Sequence, residues 1–288
     1  MDFLGGQGWK AFFSKLYEKM MDTDVLDRAA QIGFYFSFAF FPLLLFLVTL
    51  FGMILSTTEG FEAELYLYLS QVMPGSAFEL VQTTLDEIVE SSSGGKLFLG
   101  LAVTLWSASA GVDSVRNALN AVYELRETRS WWLTKLQSLL LTLGFIVLIG
   151  VGLAVVTAGS QLIDLIFGAV GFEATSPWVL VAVQWLALVV VMMLATSIVY
   201  SWVPCFDKFH WVWISPGAVV AILLWMLMSG AFRLYLQYFN SYNKAYGSLG
   251  AVIILMLWMY MTGLAILVGG AINLVLTEMT EKEKQEDK

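Results

Sequence analysis

Long apolar stretches recur along this chain, and they decide its solvent before anything else. Residues 29–55, 135–158, 177–203, 216–239 and 247–276 are each long enough to cross a bilayer as one helix. A sixth, from Leu97 to about Asn117, is more polar but of sufficient length. A spanning helix needs about 20 mostly apolar residues to match a hydrocarbon core of roughly 30 Å. Hydrocarbon offers the backbone no hydrogen-bond partner, so apolar segments of this length are helical. The chain therefore reads as an all-α integral membrane protein with six transmembrane helices. Its composition agrees: 59% of residues are hydrophobic and 13% charged, against about 25% charged in average soluble domains.

The segments around the spans have distinct characters. In residues 9–21, Trp9, Phe12, Phe13, Leu16, Tyr17 and Met20 recur at helical spacing, with Lys10, Lys15 and Lys19 mostly on the other face. That pattern predicts an N-terminal amphipathic helix, lying on an anionic leaflet or packed against the bundle. The first 28 residues carry nine charges and no unbroken apolar core, so the first span is expected to act as the insertion signal. Pro42 falls inside that span, where it removes a helix hydrogen bond and predicts a kink. Residues 56–95 hold seven acids and no Lys or Arg, with two amphipathic pieces flanking Pro74-Gly75. They predict a short helical external cap. Gly150, Ala154 and Ala158 form a small-residue strip that permits close helix approach in lipid. Ser176-Pro177 and Ser215-Pro216 each place a capping serine before a proline at the first helical position. The expected organisation is a cytoplasmic segment 1–28, a six-helix domain 29–277, and a charged tail 278–288 that frays.

Charge fixes the expected orientation. With six spans and the N-terminus inside, twelve Lys and Arg residues face the cytoplasm and three (Lys96, Arg233 and Lys244) face outward. That is a positive-inside bias, and omitting the span at 97–117 would spoil it. Trp131, Trp132, Trp202, Trp211 and Trp213 cluster at the expected interfaces, where amphipathic rings settle.

The candidate site is the cytoplasmic half of the second span. Asp113, Arg116, Asn117, Asn120 and Glu124 fall at i, i+3, i+4, i+7 and i+11. They form one polar stripe continuing from Ser107 and Ser109. Ionisable groups at membrane depth face a partner or water, so Asp113, Arg116, Asn117 and Asn120 are expected to line an inward-facing cavity. The competing reading is an emerging helix whose Asp113–Arg116 pair sits among headgroups. Arg233, near the outer end of the fifth span, would neutralise the acidic cap, hold an anionic headgroup, or simply snorkel. Gln161, Gln184, Thr196, Ser197 and Asn273 are expected to link helices.

Catalytic chemistry finds little support. His210 is the single histidine and Cys205 the single cysteine, too few for a zinc site of three or four ligands. One histidine also leaves little scope for a Ser–His–Asp site. No phosphate loop or glycine fingerprint is present. No cofactor and no enzymatic activity are expected. A net charge of −8 argues against a nucleic-acid partner.

Several motifs resemble one family. Asp27-Arg28-Ala29-Ala30 leading to Phe41-Pro42, and Trp106-Ser107-Ala108, are similar to the YihY / virulence factor BrkB family. So are the run Asn117 to Tyr123, Pro204, the run Tyr242 to Gly250, Trp258, and Gly269-Gly270-Ala271-Ile272-Asn273. The resemblance covers about residues 8–277. It implies a bacterial inner-membrane protein of six spans. Members have been linked to serum resistance and to transport of lipids or envelope components, and the family has carried a ribonuclease label. Members often have Glu where this chain has Ala271.

The reading that follows is a membrane protein that transports or accommodates a lipid-like or amphipathic envelope solute. Its expected partners are membrane lipids, with a second copy of the chain or an envelope protein as further candidates. A non-transporting scaffold for envelope machinery competes with it, and a lipid-modifying enzyme comes last.

Overall fold

The computed structural model describes residues 8–55, 94–170, 177–207, 211–238 and 248–286. Among them all regular structure is helical: α1 (Gly8–Asp22), α2 (Val25–Leu55), α3 (Gly94–Val122), α4 (Trp131–Val170), α5 (Pro177–Trp202), α6 (Pro216–Tyr238) and α7 (Ser248–Glu286). The expected cap lies outside the described residues, apart from Gly94 and Gly95, which already belong to α3. The side chains of Ala154 and Ala158 lie outside them too.

Four described helices contain segments long and apolar enough to cross a membrane: Trp131–Gly152, Val181–Trp202, Pro216–Leu236 and Val252–Lys282. α2 and α3, with 31 and 29 residues, also exceed the length a span needs. The chain is membrane-embedded. Each helix from α2 to α7 packs on the next, and α7 closes the ring against α2 while also touching α1 and α3. Ile32 of α2, Leu119 of α3, and Leu267 and Ala271 of α7 are fully buried where these helices meet. The outward faces are as apolar as the interior, with Trp178 82% and Leu227 70% exposed. Such surface would cost about 25 cal/mol per Å² in water, a cost that lipid removes.

The N-terminal helix divides its apolar residues. Phe12 and Leu16 pack on Ile272, Val275 and Met279 of α7, and Met20 on the main core. Trp9, Phe13 and Tyr17 remain exposed. The packed arrangement thus accounts for one edge of the helix and leaves an aromatic edge outward. Lys19 Nζ lies 2.6 Å from Glu124 Oε1 and 3.7 Å from Glu278 Oε1. The N-terminal helix, the loop after α3 and the end of α7 therefore share one side of the bundle.

Two helix lengths differ from expectation. α7 continues to Glu286 instead of fraying after Thr277. Met279 is fully buried against Phe12 of α1, and that anchor holds the charged turns in register. α4 starts at Trp131 and runs 40 residues to Val170, well past residue 158. No proline interrupts residues 159–170, so loss of apolarity alone does not end the helix. α3 ends in a turn with Glu124 at φ 56°. The Leu125 amide donates to the Asn120 carbonyl (2.7 Å) and the Glu124 amide to that of Ala121 (3.1 Å), the bonding of a Schellman cap. Glycine usually fills that position, and here a glutamate does, with its carboxylate against Lys19.

α6 starts as its sequence predicts. Ser215 Oγ accepts from the Ala218 amide at 3.1 Å, capping the helix that Pro216 begins. The amide of Gly217 is taken by Asn273 Oδ1 of α7 at 2.8 Å, and Asn273 Nδ2 donates to Ser215 Oγ at 3.0 Å. Gly217 and Gly269 meet at this crossing, backbone against backbone. Asn273 and Ser197, whose hydroxyl donates to the Trp213 carbonyl, link separate segments as expected. Thr196 bonds back to carbonyls of its own helix.

Candidate functional site

The polar stripe of α3 faces α4, and α4 answers it with a stripe of its own. Thr134, Ser138 and Thr142 recur every four residues, with Lys135 beside them, and all four are buried. Arg116 Nη2 donates to Asp113 Oδ1 at 2.6 Å, and Arg116 Nη1 donates to Ser138 Oγ at 2.6 Å and to the Thr134 carbonyl at 3.0 Å. The Ser138 hydroxyl in turn reaches Asp113 Oδ1 at 2.5 Å. Lys135 Nζ donates to Asp113 Oδ2 at 3.0 Å and Ser109 Oγ at 2.6 Å, and sits 4.5 Å from the centre of the Trp106 ring. Asp113 lies nine residues before the end of α3, so these charges reach about 14 Å into the bundle from the loop.

A second carboxylate extends the network into the loop between α3 and α4. Glu127 is gripped by Arg129 through two guanidinium bonds, Nε to Oε1 and Nη2 to Oε2, both 2.7 Å. This fork geometry is the strong form of the pair. Glu127 Oε2 also accepts from Asn120 Nδ2 at 3.1 Å and lies 3.7 Å from Arg116 Nε. Asn120 Oδ1 accepts the Cys205 amide at 2.8 Å, and Arg129 reaches the Val203 carbonyl at 3.3 Å. The loop after α5 is thereby tied to the loop after α3. Charges alternate as Lys135, Asp113, Arg116, Glu127, Arg129.

The network is one anion short. Three cations face two carboxylates, and Arg116 Nε is buried with no hydrogen-bond acceptor among the described residues. A buried N–H without an acceptor is costly and calls for an explanation.

The hydrogen bonds from Arg129, partly offset by burial, hold the Glu127 carboxyl at a pKa of about 2, against an ordinary 4.5. Because the folded value is the lower one, this pair stabilises the fold at pH above about 4.5, and the contribution disappears as pH falls toward 2. The unfolding temperature of wild type should exceed that of Glu127→Gln by a constant margin above pH 5. The margin should shrink on acidification. A margin unchanged down to pH 3 would contradict the arrangement.

Of the expected lining residues, Asp113, Arg116 and Asn120 come together here. Asn117 is exposed, one residue and about 100° of helix rotation from Arg116. Glu124 is also exposed and serves the Lys19 contact. Arg233 is exposed near the other end of α6, about 26 Å along its axis from Pro216, next to the stacked Phe232–Tyr235 pair. Its proposed acidic partners lie outside the described residues, as does His210. Lys135, Ser138, Glu127 and Arg129 join the site without having been singled out. The four-residue spacing of Thr134, Ser138 and Thr142 in an apolar helix is the signal that points to α4. Ala271 is fully buried in the core.

The family described as Virulence factor BrkB matches over residues 16–288. A Bacillus subtilis (strain 168) protein named "Putative ribonuclease-like protein YfkH" is 30% identical over 208 residues, 72% of this chain and 74% of that protein. No solved structure matches.

Proposed function

The chain belongs to the virulence factor BrkB family, and on that premise we propose that it accommodates and moves a lipid-like amphiphile through its α3–α4 site. One observation carries the reading. Two cations, Arg116 and Lys135, are buried between apolar helices, three cations of the network face two carboxylates among the described residues, and a buried guanidinium N–H of Arg116 has no hydrogen-bond acceptor there. Ionisable groups held at membrane depth are expensive and characteristically mark solute paths. The anionic head of an amphiphile would supply the missing charge and acceptor.

In this reading six spans cross a bacterial inner membrane with both termini in the cytoplasm. The positive-inside count supports that orientation. So does Lys19, whose contacts keep α1, the α3–α4 loop and the end of α7 on one side. No catalytic step is assigned. The name of the Bacillus relative points to RNA chemistry, but a single histidine and a net charge of −8 give this chain poor means for it. A scaffold role is favoured by a different observation, the outward Trp9, Phe13 and Tyr17 edge of α1.

The test is reconstitution into vesicles carrying fluorescent phosphatidylglycerol, with a membrane-impermeant quencher reporting movement between leaflets. Wild-type protein should accelerate movement over protein-free vesicles. Arg116→Gln should slow it about tenfold or more, since a hydrogen bond to a charged group is worth about 1.5–3 kcal/mol. Movement no faster than in empty vesicles would refute transport and leave the scaffold.

A further inference from the structure

We propose that a groove between α4 and α5 holds one acyl chain of an anionic phospholipid, with its phosphate at the level of Arg126 and Arg129. This deepens the reading above by naming the ligand class, and it rests on that reading.

The groove has a volume of about 210 Å³ and is lined by Leu141, Gly144, Phe145, Ile198, Trp202 and Trp211. Its walls are aliphatic and aromatic carbon. The space over Gly144 is open, since a Cβ placed there would meet nothing within 4 Å, so only a longer side chain would reach the groove. Leu140, on the rim, is exposed on the membrane-facing side of α4. In a bilayer the apolar occupant at hand is a lipid tail.

The polar end adjoins the charge network. Gln137 lies one helical turn before Leu141, and its amide donates to the carbonyl of Trp202, a wall residue. Arg129 Nη1 donates to Gln137 Oε1 at 2.6 Å. Arg129 thus stands at the junction of groove and network, and exposed Arg126 lies on the same loop. Trp131, Trp132, Trp202 and Trp213 are exposed around this end, as aromatic side chains are at headgroup depth. A tail in the groove would therefore place its headgroup beside exposed Arg126 and the Arg129 guanidinium. Charge complementarity selects an anionic lipid over a zwitterionic one.

Full-length protein in nanodiscs of mixed phosphatidylglycerol and phosphatidylcholine would be released into the gas phase and weighed with its bound lipids. Wild type should retain one phosphatidylglycerol per chain, several-fold in preference to phosphatidylcholine. Gly144→Leu should lower that occupancy about tenfold, since excluding even two methylenes from burial costs about that factor. Gly144→Ala should retain the lipid. Ile198→Trp fills the groove from the opposite wall and should match Gly144→Leu, which keeps the test valid if either variant misfolds. Equal retention by monodisperse Gly144→Leu and Ile198→Trp overturns the groove, and equal retention of phosphatidylcholine overturns its anionic selectivity. Loss of the lipid in both variants, with wild-type leaflet-to-leaflet movement no faster than in empty vesicles, supports the groove and overturns the transport reading instead.

Discussion

Replacing Gly217 with alanine should remove most folded protein from a membrane preparation, and Gly269→Ala should do the same. A methyl group on Gly217 would fall deep inside the van der Waals radius of the Gly269 carbonyl oxygen and 2.6 Å from Asn273 Oδ1. On Gly269 it would lie 2.5 Å from the Gly217 carbonyl oxygen, and it would also strike the hydroxyl of Tyr200. Tyr200 cannot retreat freely, because it is buried and its hydroxyl donates to the Ile266 carbonyl at 2.8 Å. Side-chain overpacking typically costs about 1–3 kcal/mol. A clash with backbone on two packed helices should exceed that range, since relief requires α6 and α7 to separate and break both bonds of Asn273. Gly230→Ala is the control, because its Cβ enters open space and alanine is favoured over glycine in a helix by about 1 kcal/mol. Size-exclusion profiles after heating in detergent would compare them. Survival of Gly217→Ala equal to Gly230→Ala would mean that the two helices do not cross as described.

Asp113→Asn should be the most damaging single change in the polar network, and more damaging than Arg116→Met. Removing the carboxylate leaves Arg116, Lys135 and Arg129 facing Glu127 alone, with the first two buried. Breaking a buried ion pair from one side costs about 3–5 kcal/mol, because the remaining charge is stranded. Arg116→Met removes the surplus cation and leaves Asp113 paired with Lys135 at 3.0 Å, so part of the network survives. The double variant Asp113→Asn/Lys135→Met should recover part of the loss, with a coupling of about 0.5–3 kcal/mol. Thermal unfolding followed by tryptophan emission would measure these three variants, Lys135→Met and wild type, which closes the cycle. Equal losses for Asp113→Asn and Arg116→Met would argue against an excess of positive charge.

The residues that sequence reading placed well are those whose neighbours lie on the same helix or one covalent step away. The Ser215–Pro216 start of α6 is local chemistry, and Ser215 caps it as expected. Asp113, Arg116 and Asn120 share a face of α3 because three- and four-residue steps return to one side of a helix. Asn117 shares the spacing but sits at the edge of the stripe, and only the position of α4 decides that it stays outside. Lys135 reads as one more basic residue near a membrane surface until α4 is laid against α3, when it turns inward to Asp113. Glu127 and Arg129 lie in a loop without periodicity, so nothing along the chain announces their pairing. The helical end of α7 depends on α1, more than 250 residues away in sequence, covering Met279. Partners so distant leave no local pattern.

The most direct measurement is photochemical mapping with phosphatidylglycerol carrying a photoreactive group on its headgroup. If the surplus positive charge holds the head of an amphiphile, adducts will concentrate in residues 126–137, and Asp113→Asn and Gly144→Leu will each alter their yield. Adducts spread evenly over membrane-facing positions such as Trp178 and Leu227, with no enrichment in that segment, would contradict the account.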